Sequence, residues 1–425
     1  MLTFAREDVP LYLVAAAAVT TVLSITVFEV LMGLALLAML LLRRPWRPPP
    51  NWPPLALFLV GTLISLAACG HLREGIPQVR KFYVYLMLFL VAGTFRNTRQ
   101  IRLLAMAWSL AATLSAAWAI RQFIQKSQYA RLTNQPFYTY YVDRRVTGFM
   151  DHWMTLGGEM MIVLLAIAAL VFFAVDRRWI ALPMAAALPV AIALEQTWTR
   201  SMWLGALCGT VYLIWCWKRW ALLLLPAVAA LVLLANPFEI RQRAASAFFP
   251  HESDSNAHRV ELRRIGWQMI AAHPWLGIGP DQVSRQIANY LPPGMTGLRP
   301  GEYYGHLEND YIQYAAERGV PTMLALMAMI ALAVFHFSRG LRRLPPGAEE
   351  RWVLHAAIAV TAGVLVGGFY SWNLNNSNVL AMFLTVLGCG YVALAQAEAH
   401  AAGTLLKVAP RTNSDDNLPA RESVR

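Results

Sequence analysis

The chain has 425 residues, of which 57% are hydrophobic and only 14% charged, and its mean hydropathy is +0.44. Soluble domains carry about 25% charged residues, so the composition excludes an ordinary soluble enzyme and indicates a membrane protein. The formal charge of +12 would suit a nucleic-acid binder if it lay on one soluble face, but the basic residues form short clusters between long apolar runs, which excludes nucleic acid as a partner and matches cytoplasmic loops.

The N-terminal stretch "MLTFARED" leads into an apolar run with no small-residue cleavage signature, so an uncleaved signal anchor is expected. A spanning helix needs roughly 20 apolar residues. Runs suited to that task lie near 11–25, 26–42, 54–70, 82–95, 103–124, 153–175, 180–196, 202–217 and 220–236, with three more near 321–337, 352–370 and 379–397. The stretch 11–42 reads either as one tilted helix or as two joined by a tight turn, and charge decides between them. With two helices the positive-inside rule places Arg43, Arg44 and Arg47, then Arg96, Arg99 and Arg102, then Arg177 and Arg178 in the cytoplasm. Lys218, Arg219, Arg339, Arg342, Arg343 and Arg351 join them. One helix would put the early clusters outside, so two are chosen and both termini are expected in the cytoplasm.

The expected fold is therefore an all-α polytopic membrane protein of about twelve transmembrane helices: nine within 1–236, an outer helical loop domain at 237–320, three more within 321–397, and a disordered cytoplasmic tail at 398–425. A smaller outer segment at 125–152 is rich in Tyr and Arg and contributes Arg145 as a candidate ligand for a phosphate or sugar. The loop domain carries 8 Arg against 9 Asp plus Glu, so the basicity belongs mostly to the inner face. Within it, one helix should begin near Ala257 and end before "HPWLGIG"; Pro280 and Asp281 should open a second. A third should resume near Leu307 and close at Gly319. No internal repeat is visible, which argues against a secondary transporter.

Charge at a membrane edge is costly and usually functional. Arg200, in "EQTWTRSMWLG", sits at such an edge beside Glu195, Trp198 and Trp203, where an interfacial anchor is the plain alternative. Arg259 and Arg263 are four apart and share a helix face, so their planar guanidinium groups can converge on one oxyanion; a solvated face paired with Glu261 is the alternative. His306, Asn309 and Gln313, in "GHLENDYIQYAAERG", would share one side of a helix. A histidine can carry a proton near neutral pH, and the amides can orient sugar hydroxyls. Glu308 and Asp310 suit either chemistry or the positive end of that helix. Glu29 and Glu159 read as carboxylates buried in spans, and His355 as a packing histidine. "GIGP" follows no strand and is a turn. Cys69, Cys208, Cys216 and Cys389 lie in apolar runs without ligand spacing, and no sequence pattern calls for a metal or cofactor.

This arrangement resembles the O-antigen ligase and polymerase superfamily. The resemblance rests on a junction Arg after the middle spans, on "RVELRRIGWQMIAAHPWLGIGP", and on "HLENDYIQYAAERG". It implies a GT-C-like glycosyltransferase that moves a glycan from undecaprenyl diphosphate to an acceptor on the periplasmic face of the inner membrane, inverting and without metal. For the ligase branch the donor is undecaprenyl-diphosphate-linked O-antigen and the acceptor lipid A core; polymerases and protein O-oligosaccharyltransferases differ in acceptor, and a non-catalytic lipid-oligosaccharide transporter is a remoter alternative. Arg200, Arg259 and His306 match the family's Arg, Arg and His positions. Glu308 stands where a second histidine is common and Arg263 where Trp is common, so the base is left between His306 and Glu308.

Overall fold

The computed structural model describes residues 6–236, 240–245, 255–295, 297–298 and 303–408. The first apolar stretch breaks at Ser24, whose hydroxyl caps the following helix by accepting from the backbone N–H of Val27, so α1 (Val9–Thr20) and α2 (Ile25–Leu41) are separate helices. They are followed by α3 (Trp52–Ala68), the short amphipathic α4 (Leu72–Arg80), α5 (Leu86–Thr94) and the 35-residue α6 (Thr98–Leu132). At 1.5 Å per residue α6 is about 52 Å long, longer than a bilayer core, so the outer segment expected at 125–152 begins as a continuation of this helix. It then adds α7 (Phe137–Val142).

Next come α8 (Trp153–Phe173), α9 (Ala181–Gln196), α10 (Arg200–Trp217), α11 (Leu224–Ala235) and the single turn α12 (Ile240–Ala245). The loop region contributes α13 (Ser255–Ala272), α14 (Val283–Gln286) and α15 (Asp310–Arg318); α16 (Val320–Arg343), α17 (Glu350–Gly368) and α18 (Ser377–Val408) close the chain. Every described regular element is a helix. Five of them, α6, α8, α16, α17 and α18, are long and apolar enough to cross a membrane, which fits a multi-pass membrane protein. Each of the twelve apolar runs read from the sequence falls on a helix, several of them shorter than a full span.

Without a hydrophobic drive between helices in lipid, close approach depends on small side chains. Gly205 and Gly209 of α10 face the Gly363 and Ala359 carbonyls of α17, and a Cβ at Gly209 would lie 2.8 Å from the Ala359 oxygen. One end of the bundle is tied by ion pairs: Arg44 with Glu7, Arg96 with Asp8, and Arg102 with both Asp176 and Glu349. At the other end, the C-terminus of α17 meets the loop region, where the Asn309 amide donates to the Phe369 carbonyl at 2.9 Å. The 19 residues of α17 separate these two ends by about 28 Å.

The loop region has its own apolar cluster, in which Leu262, Ile265 and Met269 of α13 meet Ile278, Leu307 and Ile312. The "HPWLGIG" turn clamps α15 through its backbone: Ile278 and Gly279 donate to the Ala316 and Glu317 carbonyls at 2.9 Å, and Val320 donates to Pro274 at 2.8 Å. Gly277 (φ +70°) and Gly319 (φ +83°) permit this, since a Cβ on Gly319 would collide with the Trp275 carbonyl.

Four expectations change. Helix α15 starts at Asp310 rather than near Leu307, because Asn309 is its N-cap, so His306 and Glu308 lie on the preceding loop and do not share a helix face with Gln313. Pro280 and Asp281 form a turn with Asp281 at φ +62°, and α14 begins later, at Val283. Glu29 is not buried; it faces outward from α2 and accepts from the Tyr83 hydroxyl, whereas Glu159 is enclosed. The tail expected to be irregular from 398 continues α18 to Val408, and 409–425 lie outside the described residues. All four cysteines are free, and the Tyr212 hydroxyl pairs with Nδ1 of His355 at 3.0 Å, while the His355 Nε2 is buried without a partner among the described residues.

Candidate active site

The loop 303–309 is pinned to α13 residue by residue. His258 bonds the Tyr303 carbonyl at 2.8 Å, and the Tyr304 hydroxyl donates to Glu261 at 2.5 Å. Arg259 then grips one oxygen of Glu308 twice, Nε at 2.8 Å and Nη2 at 2.7 Å from Oε2. Glu308 accepts this pose with φ at +52°, a strained conformation for a residue with a Cβ. Local strain of this kind is usually maintained where the surroundings demand it. Leu307 plugs the loop's apolar core while its N–H donates to the Gln313 side chain at 2.7 Å.

These bonds redefine two of the expected sugar contacts. The Asn309 carbonyl oxygen caps α15 at Ile312 N–H (3.0 Å) and its amide holds Phe369; Gln313 is fully buried between Leu307 and Glu317. Both amides position the loop instead of facing a ligand. Arg263 likewise turns back, its Nε donating to the Arg259 carbonyl at 3.3 Å.

His306 projects between Tyr303 and Trp372, with ring centroids 5.4 and 5.3 Å away. Its Nδ1 is buried without a hydrogen-bond partner among the described residues. Burial lowers its pKa below the usual 6.5; the Glu308 carboxylate opposes that shift, and Arg259 and His258 reinforce it. The imidazole is thus neutral at pH 7. Burial acts on Glu308 in the other direction, but Arg259 and His306 outweigh it and hold the carboxyl below its ordinary range.

Arg145 approaches from the segment after α7. Its Nε is fixed to the Val142 carbonyl at 2.7 Å, and its guanidinium lies 4.6 Å from the centre of the Trp153 ring. Burial, then the positive charges of Arg243 and Arg259, depress its pKa to about 9. That repulsion places three guanidinium groups in one electrostatic neighbourhood, which an anion would relieve. His152 belongs to the same neighbourhood, sensing Arg145, Glu308 and His306 after its own burial.

Arg200 opens α10, two residues after Trp198. Arg243 of α12 is buried and donates from Nε to the Trp198 carbonyl at 3.2 Å, which ties this helix to the Arg200 junction. Trp198 itself has φ +47° and is walled in by Tyr138 and Tyr141. The structure thus brings Arg259, Glu308 and His306 together, sets Arg145 beside them, and reaches the Arg200 junction through Arg243.

Sequence reasoning missed Arg243, Trp153 and the strap "FYSWNLNNSN" between α17 and α18. In that strap the Leu374 N–H donates to Asp310, Asn375 accepts from Lys81 (3.0 Å), Asn376 donates to Thr155 (2.7 Å) and Asn378 to the Thr21 carbonyl (2.6 Å). A run of amides between two apolar stretches was the available signal.

Residues 184–327 match the family model described as O-antigen ligase, a match that supports assigning the chain to that family and a function of O-antigen ligase or polymerase type. The matched span contains Arg200, Arg243, Arg259, His306 and Glu308, and ends before Trp372. A comparison with curated proteins finds no match.

Proposed function

We propose that the chain is an O-antigen ligase of the bacterial inner membrane, carrying undecaprenyl-diphosphate-linked O-antigen to a hydroxyl of the lipid A core on the periplasmic face. The observation that supports it most is the juxtaposition of Arg145 and Arg259 with a neutral, half-buried His306 at the end of the bundle opposite the Arg102 ion pairs. In this reading twelve helices span the membrane, the clustered basic residues lie inside, and the site faces outward.

No ATP is available on that side, so the sugar must arrive activated, and a lipid diphosphate is a competent leaving group. His306 takes the proton from the acceptor hydroxyl as its oxygen forms a bond to the anomeric carbon. The bond from that carbon to the phosphate oxygen breaks, its electron pair leaves on the polyprenyl diphosphate, and a single displacement inverts the centre. Arg145 and Arg259, with Arg200 and Arg243 behind them, meet the charge growing on the leaving oxygen. Preorganised donors of this kind contribute about 2.7–4 kcal/mol each, and a general base roughly 100- to 10,000-fold. His306 is assigned the base because Glu308 is already held by Arg259 and is a weak proton acceptor in that state. Glu308 instead steadies the imidazolium.

The test is transfer by the purified chain in liposomes from undecaprenyl-diphosphate oligosaccharide to three competing acceptors: lipid A core, a second lipid-linked repeat and a pilin-like protein. Preference for lipid A core supports the ligase. Preference for the second repeat or the protein would make the chain a polymerase or a protein O-oligosaccharyltransferase, and movement of carrier lipid without any transfer would make it a transporter.

A further inference from the structure

We propose that Trp372 is a glycan-binding residue that receives the sugar attached directly to the donor's diphosphate, its ring face packing against the pyranose and its indole N–H donating to a sugar or glycosidic oxygen. The proposal rests on the glycosyl-transfer reading above and adds a residue outside the matched segment.

The Trp372 Nε1 is buried and has no hydrogen-bond partner among the described residues. A buried indole N–H is normally paired, and one left alone forfeits the hydrogen bond it made to water. Poor anchoring of the strap does not explain it. Asn309 holds the Phe369 carbonyl at 2.9 Å, the Ser371 hydroxyl donates to Gly367 at 2.9 Å, and Asp310 holds the Leu374 N–H at 3.2 Å. Bonds on both sides of Trp372 thus fix the ring while its donor is left over. The ring it faces is His306, 5.3 Å away, whose Nδ1 is in the same state. Two adjacent unsatisfied polar atoms on rigid supports, an indole donor and an imidazole nitrogen that donates or accepts according to its tautomer, are what a hydroxyl-rich ligand would complete.

The position selects the donor sugar. Asn376 ties the strap to Thr155 of α8 at 2.7 Å, two residues from Trp153, on which the Arg145 guanidinium lies. The strap therefore runs from the guanidinium cluster, where the diphosphate would sit, to His306, where the acceptor hydroxyl would be deprotonated. The sugar joined to the diphosphate must occupy the space between those two points. Trp153 repeats the pattern on the phosphate side, its own N–H buried and without a partner among the described residues beside Arg145.

The experiment measures binding, without acceptor, of two probes to the full chain in nanodiscs: undecaprenyl diphosphate, and undecaprenyl diphosphate bearing one N-acetylglucosamine. Wild type should bind the sugar-bearing probe more tightly. Trp372→Phe, which keeps most of the ring and loses the N–H, should weaken that probe roughly tenfold, the worth of about one hydrogen bond, and leave the bare diphosphate unchanged. Trp372→Leu should weaken it further, while Arg145→Ala weakens both. An unchanged ratio of the two affinities in Trp372→Phe, or an equal loss of both probes with a lowered thermal midpoint, overturns the role given to Trp372 and leaves the ligase reading standing. Failure of wild type to bind either probe removes both.

Discussion

Arg259 and Glu308 are each other's principal partner, so the two cannot be deleted with equal effect. Arg259→Ala strands the half-buried Glu308 carboxylate and removes a leaving-group donor, and a 100- to 1,000-fold fall in kcat is expected, about 2.7–4 kcal/mol. Arg259→Lys should restore only part of it, because an ammonium lacks the fork that grips through two nitrogens. Steady-state rates with saturating donor decide this, and near-wild-type turnover in Arg259→Ala would remove Arg259 from the mechanism. With guanidinium groups as the charge stabilisers, turnover should also survive EDTA; loss on chelation and rescue by magnesium would mean the stabilisation has been misassigned. The pH profile tests His306. Its folded pKa lies below 6.5, and the base must be neutral, so the rate should be flat near pH 7 and fall only as pH drops through that lowered value. Glu308 is the group raising this pKa and Arg259 one of those lowering it, so Glu308→Gln should move the acid limb to lower pH still. A shift to higher pH would assign the limb to another group. At this scale the sequence made Arg259, Glu308 and His306 legible through residue type and motif. Arg243 and Trp372 were not, since a lone Arg and a lone Trp carry no spacing signal and acquire meaning only from Trp198 and His306 across the fold.

Helix α15 explains why the local reading erred by one turn. His306, Asn309 and Gln313 have helical spacing, but the strongest N-cap in the stretch is Asn309, and a cap residue must leave helical geometry to fold its side chain over the first turn. The helix therefore starts after it, and the preceding loop is free to aim His306 and Glu308 at α13 and the strap. Helix ends depend on which of several competing side chains captures the backbone, whereas the long apolar runs, with nothing competing, could be placed closely. Two substitutions test this element. Asn309→Ala removes the cap and the bond to Phe369, and should lower stability by about 1 kcal/mol or more. Gly319→Ala puts a Cβ into the Trp275 carbonyl at a backbone conformation (φ +83°, ψ 155°) that other residues enter at a cost of about 1–3 kcal/mol. Both should lower the thermal midpoint and reduce transfer together, because α15 holds the loop that carries His306. A stable Gly319→Ala protein with full activity would mean that the "HPWLGIG" clamp does not position the site.

Across the whole molecule, the distribution of charge and the position of the site make one argument. Glu7, Asp8, Arg44, Arg96, Arg102, Asp176 and Glu349 meet at one end through ion pairs, and α17 carries the chain from there to the loop region. These pairs join clusters that are far apart in sequence, which hydropathy alone could not pair; charge bias could only assign each cluster to the same side. In the ligase reading, the positive-inside rule puts that end in the cytoplasm and the Arg145, Arg259 and His306 cluster outside. Single cysteines give the measurement, in a chain whose Cys69, Cys208, Cys216 and Cys389 have been replaced. Arg99→Cys, on the exposed start of α6, should react with a membrane-impermeant maleimide only after cells are opened; Gln268→Cys, on the exposed face of α13, should react in spheroplasts with intact inner membranes. The reverse pattern would turn the proposed site toward ATP and nucleotide sugars, where activation of the sugar by a lipid diphosphate has no chemical necessity, and the ligase reading would lose its donor.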